Sequence, residues 1–275
     1  MSKQNPVQVI AVTSGKGGVG KTNVSVNLSL ALVESGLKVL LLDADLGLAN
    51  VDLLLGLQSP FNLSHVITGE RTLEEVITDG PDGLKIVPAS SGIQMMSELS
   101  QVQHAGVIRA FGELTTAVDV LIVDTAAGIS DSVVSFSRAS NEVIVVVCNE
   151  PTSMTDAYAL IKVLNDGHGI HKFNILANMV RNPKEGMSLY SKLSKVTDQY
   201  LDDVTLEYLG TVPQDEYLIK SVKKQQAVMK SYPQSPSSLA FRQLAKKVRT
   251  WPLPAQASGQ LEFFVERLIK YSSAS

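Results

Sequence analysis

An α/β fold, with a mostly parallel sheet covered by helices on both faces, follows from two observations. Short runs of β-branched and aliphatic residues alternate with longer segments of helical spacing, and the first run leads directly into a glycine-rich loop and a helix. Strands are expected at residues 7–13, 38–43, 84–88, 118–124, 142–148, 173–179 and 206–212. These runs are largely apolar without a polar alternation, the pattern of strands buried on both faces. Helical spacing occupies residues 21–34, 101–117, 153–165, 185–201, 216–231 and 237–249. A Pro/Ser-rich stretch covers 233–238, and Trp251-Pro252-Leu253-Pro254-Ala255 follows later. Its prolines cannot continue a helix, so it reads as a linker before a last helix at 261–271. The expected layout is one domain over residues 1–250 and an appendage over 251–275.

Composition excludes several functional classes. With 44% hydrophobic, 19% charged and 5% aromatic residues, the 275-residue chain is neither disordered nor fibrous. A net charge of -3 supplies no global attraction to nucleic acid or anionic membrane. The longest apolar runs, such as residues 143–148, are far shorter than the roughly 18 residues of a membrane span, and the amino terminus lacks a secretory apolar core. A cytoplasmic protein is expected. Cys148 is the only cysteine, so one chain can form neither an internal disulfide nor a multi-thiolate metal site.

Gly15-Lys16-Gly17-Gly18-Val19-Gly20-Lys21-Thr22 fits G-x-x-x-x-G-K-[ST] between a strand and a helix, so the domain is expected to be a P-loop NTPase. The glycines let successive N–H groups turn toward phosphate oxygens, and the positive end of the next helix adds to that field. Lys21 is expected on the β- and γ-phosphates and the Thr22 hydroxyl on Mg²⁺, with Asn23 beside them on the helix.

Asp43, Asp45 and Asn50 follow the second strand, where parallel-sheet side chains face the ligand crevice; each is also a natural turn or helix cap. Leu121-Ile122-Val123-Asp124 reads as a Walker B strand, with Asp124 holding Mg²⁺ through water and the Gly128 N–H available to a γ-phosphate. A guanine-reading Asn-Lys-x-Asp motif is not matched by Asn178-Met179-Val180-Arg181, which offers no carboxylate. Glu150 and Asp156 are candidates for the nucleotide or a second subunit, and helix-start chemistry accounts for them nearly as well.

The string from Gly15 to Thr22 resembles the deviant Walker A motif of the MinD/ParA family, ATPases that dimerise around nucleotide. That resemblance implies a homodimer with ATP and Mg²⁺ in which Lys16 reaches the partner's phosphates. It places the attacking water at Asp45, metal outer-shell support at Asp43, and adenine near Asn178 and Pro213-Gln214-Asp215. Lys16, Lys21 and Asp45 are then the catalytic set. Further stretches, among them Asp131-Ser132-Val133-Val134-Ser135-Phe136 and His104-Ala105-Gly106, resemble the flagellar-number regulators of the family. These imply slow ATP hydrolysis and restraint of a FleQ-type enhancer-binding transcription activator, at the cell pole or inner membrane in the ATP state. Some such relatives stimulate the polar GTPase FlhF through an amino-terminal Asp-Gln-Ala motif, which the six residues before Val7 do not contain. The alternatives are MinD-type division-site positioning and ParA-type DNA partitioning. The lysines Lys220, Lys223, Lys224, Lys246 and Lys247, with Arg249, read as solvated helix faces, and no sequence-specific DNA binding is expected.

On a helical wheel of about 100° per residue, Leu261, Phe264, Val265, Leu268, Ile269 and Tyr271 fall in an arc of roughly 160°. Such a face suits a membrane interface, as in MinD-type proteins, or docking on the protein itself. Two acids cancel the helix's two bases, so a cationic membrane-seeking face is missing.

Overall fold

The computed structural model describes residues 6–45, 51–88, 101–254 and 261–272, apart from the side chains of 101–105, 261–263 and 270–272. Asn50 and the side chains of His104, Leu261 and Tyr271 therefore lie outside the described residues. Eight strands among them make one sheet: β1 (Gln8–Ser14), β2 (Val39–Ala44), β3 (Thr78–Asp79), β4 (Lys85–Pro88), β5 (Val120–Ala127), β6 (Glu142–Val147), β7 (Lys172–Val180) and β8 (Thr205–Pro213). Their order is β3-β4-β2-β5-β1-β6-β7-β8, parallel except for β3 against β4 at the edge. The two residues of β3 carry no apolar signal, and so short an edge strand offers little template for unwanted pairing.

The helices are α1 (Lys21–Glu34), α2 (Val51–Leu55), α3 (Leu63–Ile67), α4 (Leu73–Val76), α5 (Gln101–Gly112), α6 (Asp131–Ala139), α7 (Pro151–Asp166), α8 (Pro183–Tyr200), α9 (Glu216–Lys223), α10 (Val228–Ser231), α11 (Pro236–Val248) and α12 (Leu261–Ser272). One sheet face packs Ile10, Val12 and Ile122 against Leu28 and Leu32 of α1 and Phe241 and Leu244 of α11. On the other face, Leu40, Leu42 and Val123 meet α5, α6 and α12, while Val145, Val147 and Ile175 meet α7 and α8. α1 is buried on nearly every side because α11 covers the flank that the sheet leaves open.

Two helices depart from expectation. The segment at 216–231 breaks into α9 and α10 around Gln225, whose φ of 53° cannot continue a right-handed helix. α5 stops at Gly112, a poor helix residue, where 117 was expected, and Leu114 turns into the core. The terminal helix α12 is docked: Phe264, Val265, Leu268 and Ile269 are buried against α5 and α6, and the Phe264 and Phe136 rings stack at 6.3 Å. No described helix is long and apolar enough to cross a membrane.

Candidate nucleotide site

The loop between β1 and α1 is shaped by close backbone approaches. Gly20 sits at the α1 N-terminus with φ 82°, and a Cβ there would lie 2.6 Å from Asn178 Nδ2. Only glycine accepts that conformation and that contact together. Asn178, at the end of β7, donates to the Val19 carbonyl at 2.7 Å and so pins the loop. Gly15 lies against α7 so tightly that a Cβ would fall 2.2 Å from the Asp156 carbonyl; Asp156 thus meets the loop through its backbone. Above the loop opens a cleft of about 640 Å³ lined by Lys16, Gly17, Gly18, Lys21, Thr22, Asn23 and Asp45. Backbone N–H groups at a helix start beside a cleft of that size could cradle a phosphate.

Beneath the loop, the β2–β5 register places Asp43 beside Asp124. Lys21 Nζ lies 2.6 Å from Asp124 Oδ1, which also accepts the Ser25 hydroxyl at 2.8 Å. The second oxygen, Asp124 Oδ2, is buried with no hydrogen-bond partner. Asp43 accepts the N–H groups of Asp45 and Val51 at 3.3 Å each. Burial, with the neighbouring Asp124 charge, pushes the Asp43 carboxyl up to about 7. Two buried carboxylates share the single Lys21 ammonium, and one oxygen of Asp124 has no partner; a divalent cation suits the remaining deficit. Thr22 and Asp124 could hold it, with Asp43 behind them.

Lys16 is engaged within its own chain, 2.7 Å from Glu150 Oε2 and 2.9 Å from Thr152 Oγ1. The Glu150 hydrogen bond raises its pKa. The Gly128 N–H, expected toward a γ-phosphate, donates to the Ser14 carbonyl at 2.8 Å.

A second cavity of about 110 Å³ adjoins the cleft, lined by Asn178, Met179, Pro213, Gln214, Asp215 and Phe241 among others. Asp215, expected at the base, uses its carboxylate elsewhere: it accepts the Tyr217 N–H at the start of α9 and the Ser237 N–H at the start of α11, each at 2.9 Å. Residue types and spacing had not signalled Met179, Ile219 and Phe241 in this cavity or Leu53 and Val222 in the larger cleft. They are ordinary apolar residues whose place depends on how distant helices fold back and, for Met179, on a register shift between β7 and β8.

Over residues 5–249 the chain matches the ParA family, described as NUBPL iron-transfer P-loop NTPase. The chain belongs to the MinD/ParA family of P-loop ATPases. Among its MinD/ParA relatives, the antiactivator FleN of Pseudomonas aeruginosa is 60% identical over 98% of this chain and 96% of its own length. The flagellum site-determining protein YlxH of Helicobacter pylori is 35% identical, covering 95% of this chain and 90% of that one. In structure, the septum site-determining protein MinD of Pyrococcus horikoshii, complexed with Mg-ADP, superposes with a TM-score of 0.67 at 26% identity, over 89% of this chain and 96% of its own.

Proposed function

We propose that this protein is an ATP-dependent dimerising switch that limits flagellar number by binding and restraining a FleQ-type transcription activator, slow ATP hydrolysis resetting the dimer. The observation that carries this reading is the 60% identity to the antiactivator FleN across 98% of the chain. The MinD complexed with Mg-ADP supports Mg²⁺ and an adenine nucleotide as ligands.

The chain's own groups have defined tasks in this reading. Lys21, now on Asp124, would serve the β- and γ-phosphates, which would free the Asp124 carboxylate for a metal ion. Mg²⁺, held by Thr22 and Asp124, would offset phosphate charge in the transition state. Asp45, on the cleft wall, orients the attacking water. Lys16 exchanges Glu150 for the nucleotide of a second copy, linking dimerisation to ATP: a ligand bridging two subunits shifts their equilibrium by its differential affinity. Work is expected in the cytoplasm, at the pole or the inner membrane surface in the ATP state.

The test is to delete the gene and count flagella per cell by electron microscopy, restoring it as wild type, Lys21→Ala or Asp45→Ala. Extra polar flagella, corrected by wild type and not by Lys21→Ala, are expected. Normal flagella with minicells or lost DNA would reassign the protein to division or partitioning.

A further inference from the structure

At the edge of the sheet away from the nucleotide cleft, a cavity of about 350 Å³ opens between the end of α6 and the turn from α7 into β7. Asn141 and Val143 on its wall stand at the amino end of β6, and Ile170 to Lys172 at the amino end of β7, whereas the phosphate loop follows the carboxyl end of β1. The length of β6 puts about 20 Å between the two places. Among the described residues that line the cavity are Arg138, His168, His171 and Lys172, and no carboxylate. None of the four has a task in the nucleotide reading.

Their surroundings show which of these groups still need a partner of opposite charge. Lys172 is shared by Glu142 at 3.6 Å and Glu207 at 3.3 Å, so its charge is largely answered. Arg138 lies in the last turn of α6 and His168 just past the end of α7, positions where helix carbonyls favour a cation. The two are close enough to oppose each other: burial and the Arg138 charge hold the His168 imidazole below its usual range, against a weaker pull upward from Asp131. His171 is fixed through Nδ1, 3.1 Å from the Asp203 carbonyl, so Nε2 is the nitrogen left for a ligand. Asn141 accepts the Val9 N–H through Oδ1 at 2.9 Å, which leaves its amide N–H groups as donors.

We propose that this cavity binds a phosphate group, free or carried on a small molecule, at a site separate from the nucleotide cleft. A guanidinium presents paired donors that match an oxyanion, and the imidazoles and the Asn141 amide surround the same space with further hydrogen-bonding groups. An anion between Arg138 and His168 turns their repulsion into attraction, whereas a metal cation would add to it. The volume falls in the lower part of the range of roughly 300–1,000 Å³ for small-molecule pockets, which leaves room for a substituent on the phosphate.

The test titrates inorganic phosphate and glycerol 3-phosphate, each separately, into wild-type protein saturated with Mg-ADP, and follows the imidazole signals of the histidines by NMR. Mg-ADP keeps phosphate from the cleft, and a readout local to His168 and His171 makes the result independent of the nucleotide reading. Saturable shifts at His168 and His171 with His65 unmoved are expected, and Arg138→Gln should weaken binding about tenfold. Tighter binding of the ester assigns a phosphorylated small molecule; equal or weaker binding assigns free phosphate. No saturable shift at His168 in wild type, the same shift with chloride at matched ionic strength, or undiminished binding by Arg138→Gln would overturn the site. The wild-type titration decides the matter even where the variant fails to fold.

Discussion

Two lysines in one loop hold opposite kinds of partner. Lys21 is buried with Asp124, whereas the Lys16–Glu150 pair is largely solvent-exposed. Removing one member of a buried pair strands the other charge, so Lys21→Ala should destabilise the nucleotide-free protein by about 3 kcal/mol in denaturant titrations. Adding Asp124→Asn should recover most of that loss; no recovery would show that the pair is not the cause. The exposed pair contributes far less, because solvent screens it. If it competes with dimerisation, Glu150→Gln should lower the Mg-ATP concentration needed for a dimer by up to about fivefold, read by light scattering. An unchanged midpoint would mean that Glu150 does not restrain Lys16.

Among the elements, α9 and α11 are tied together by one side chain. The Asp215 carboxylate caps both, and although burial raises its pKa, the N–H donors from Ser237 and Tyr217 outweigh this and leave it lowered. An N-cap contributes about 1 kcal/mol, so Asp215→Ala should cost about 2 kcal/mol by chemical denaturation at pH 7. An acid whose folded pKa is depressed stabilises the fold above its unfolded value of 3.8 and loses that contribution as pH falls through the folded value. The gap between wild type and Asp215→Ala should therefore be full at neutral pH and narrow below about pH 4. A gap independent of pH would remove the carboxylate from the explanation.

For the whole molecule, the docked α12 connects the chain's end to α6, the helix that follows the β5 loop and Gly128. The burial of Phe264 against Phe136 is the core of that contact. Phe264→Ala should cost about 3–5 kcal/mol if α12 unfolds with the rest, and far less if it detaches alone. Two transitions in hydrogen exchange would mark the second case. A nucleotide-dependent release of this helix would make liposome sedimentation stronger in Mg-ATP and dependent on the residues after Gly259. Equal pelleting with and without them would confine α12 to its docked position.

Much of the site was legible in residue order because its chemistry is local. The strand–loop–helix around Gly15 to Thr22 and the carboxylate at the end of an apolar strand carry their geometry in a few consecutive residues, and α1 runs from Lys21 to Glu34 as periodicity predicts. Asp43 and Asp124 were legible one at a time; their adjacency required the β2–β5 register, a pairing between strands about eighty residues apart. The role of Asp215 as a double cap depends on α11 returning to α9, and the exposure of Met179 depends on a bulge that no residue type announces. The amphipathic arc of the last helix could be read from spacing, but its partner could not. Spacing says that an apolar face must be covered; which surface covers it depends on the groove that α5 and α6 leave, a property of packing between distant segments.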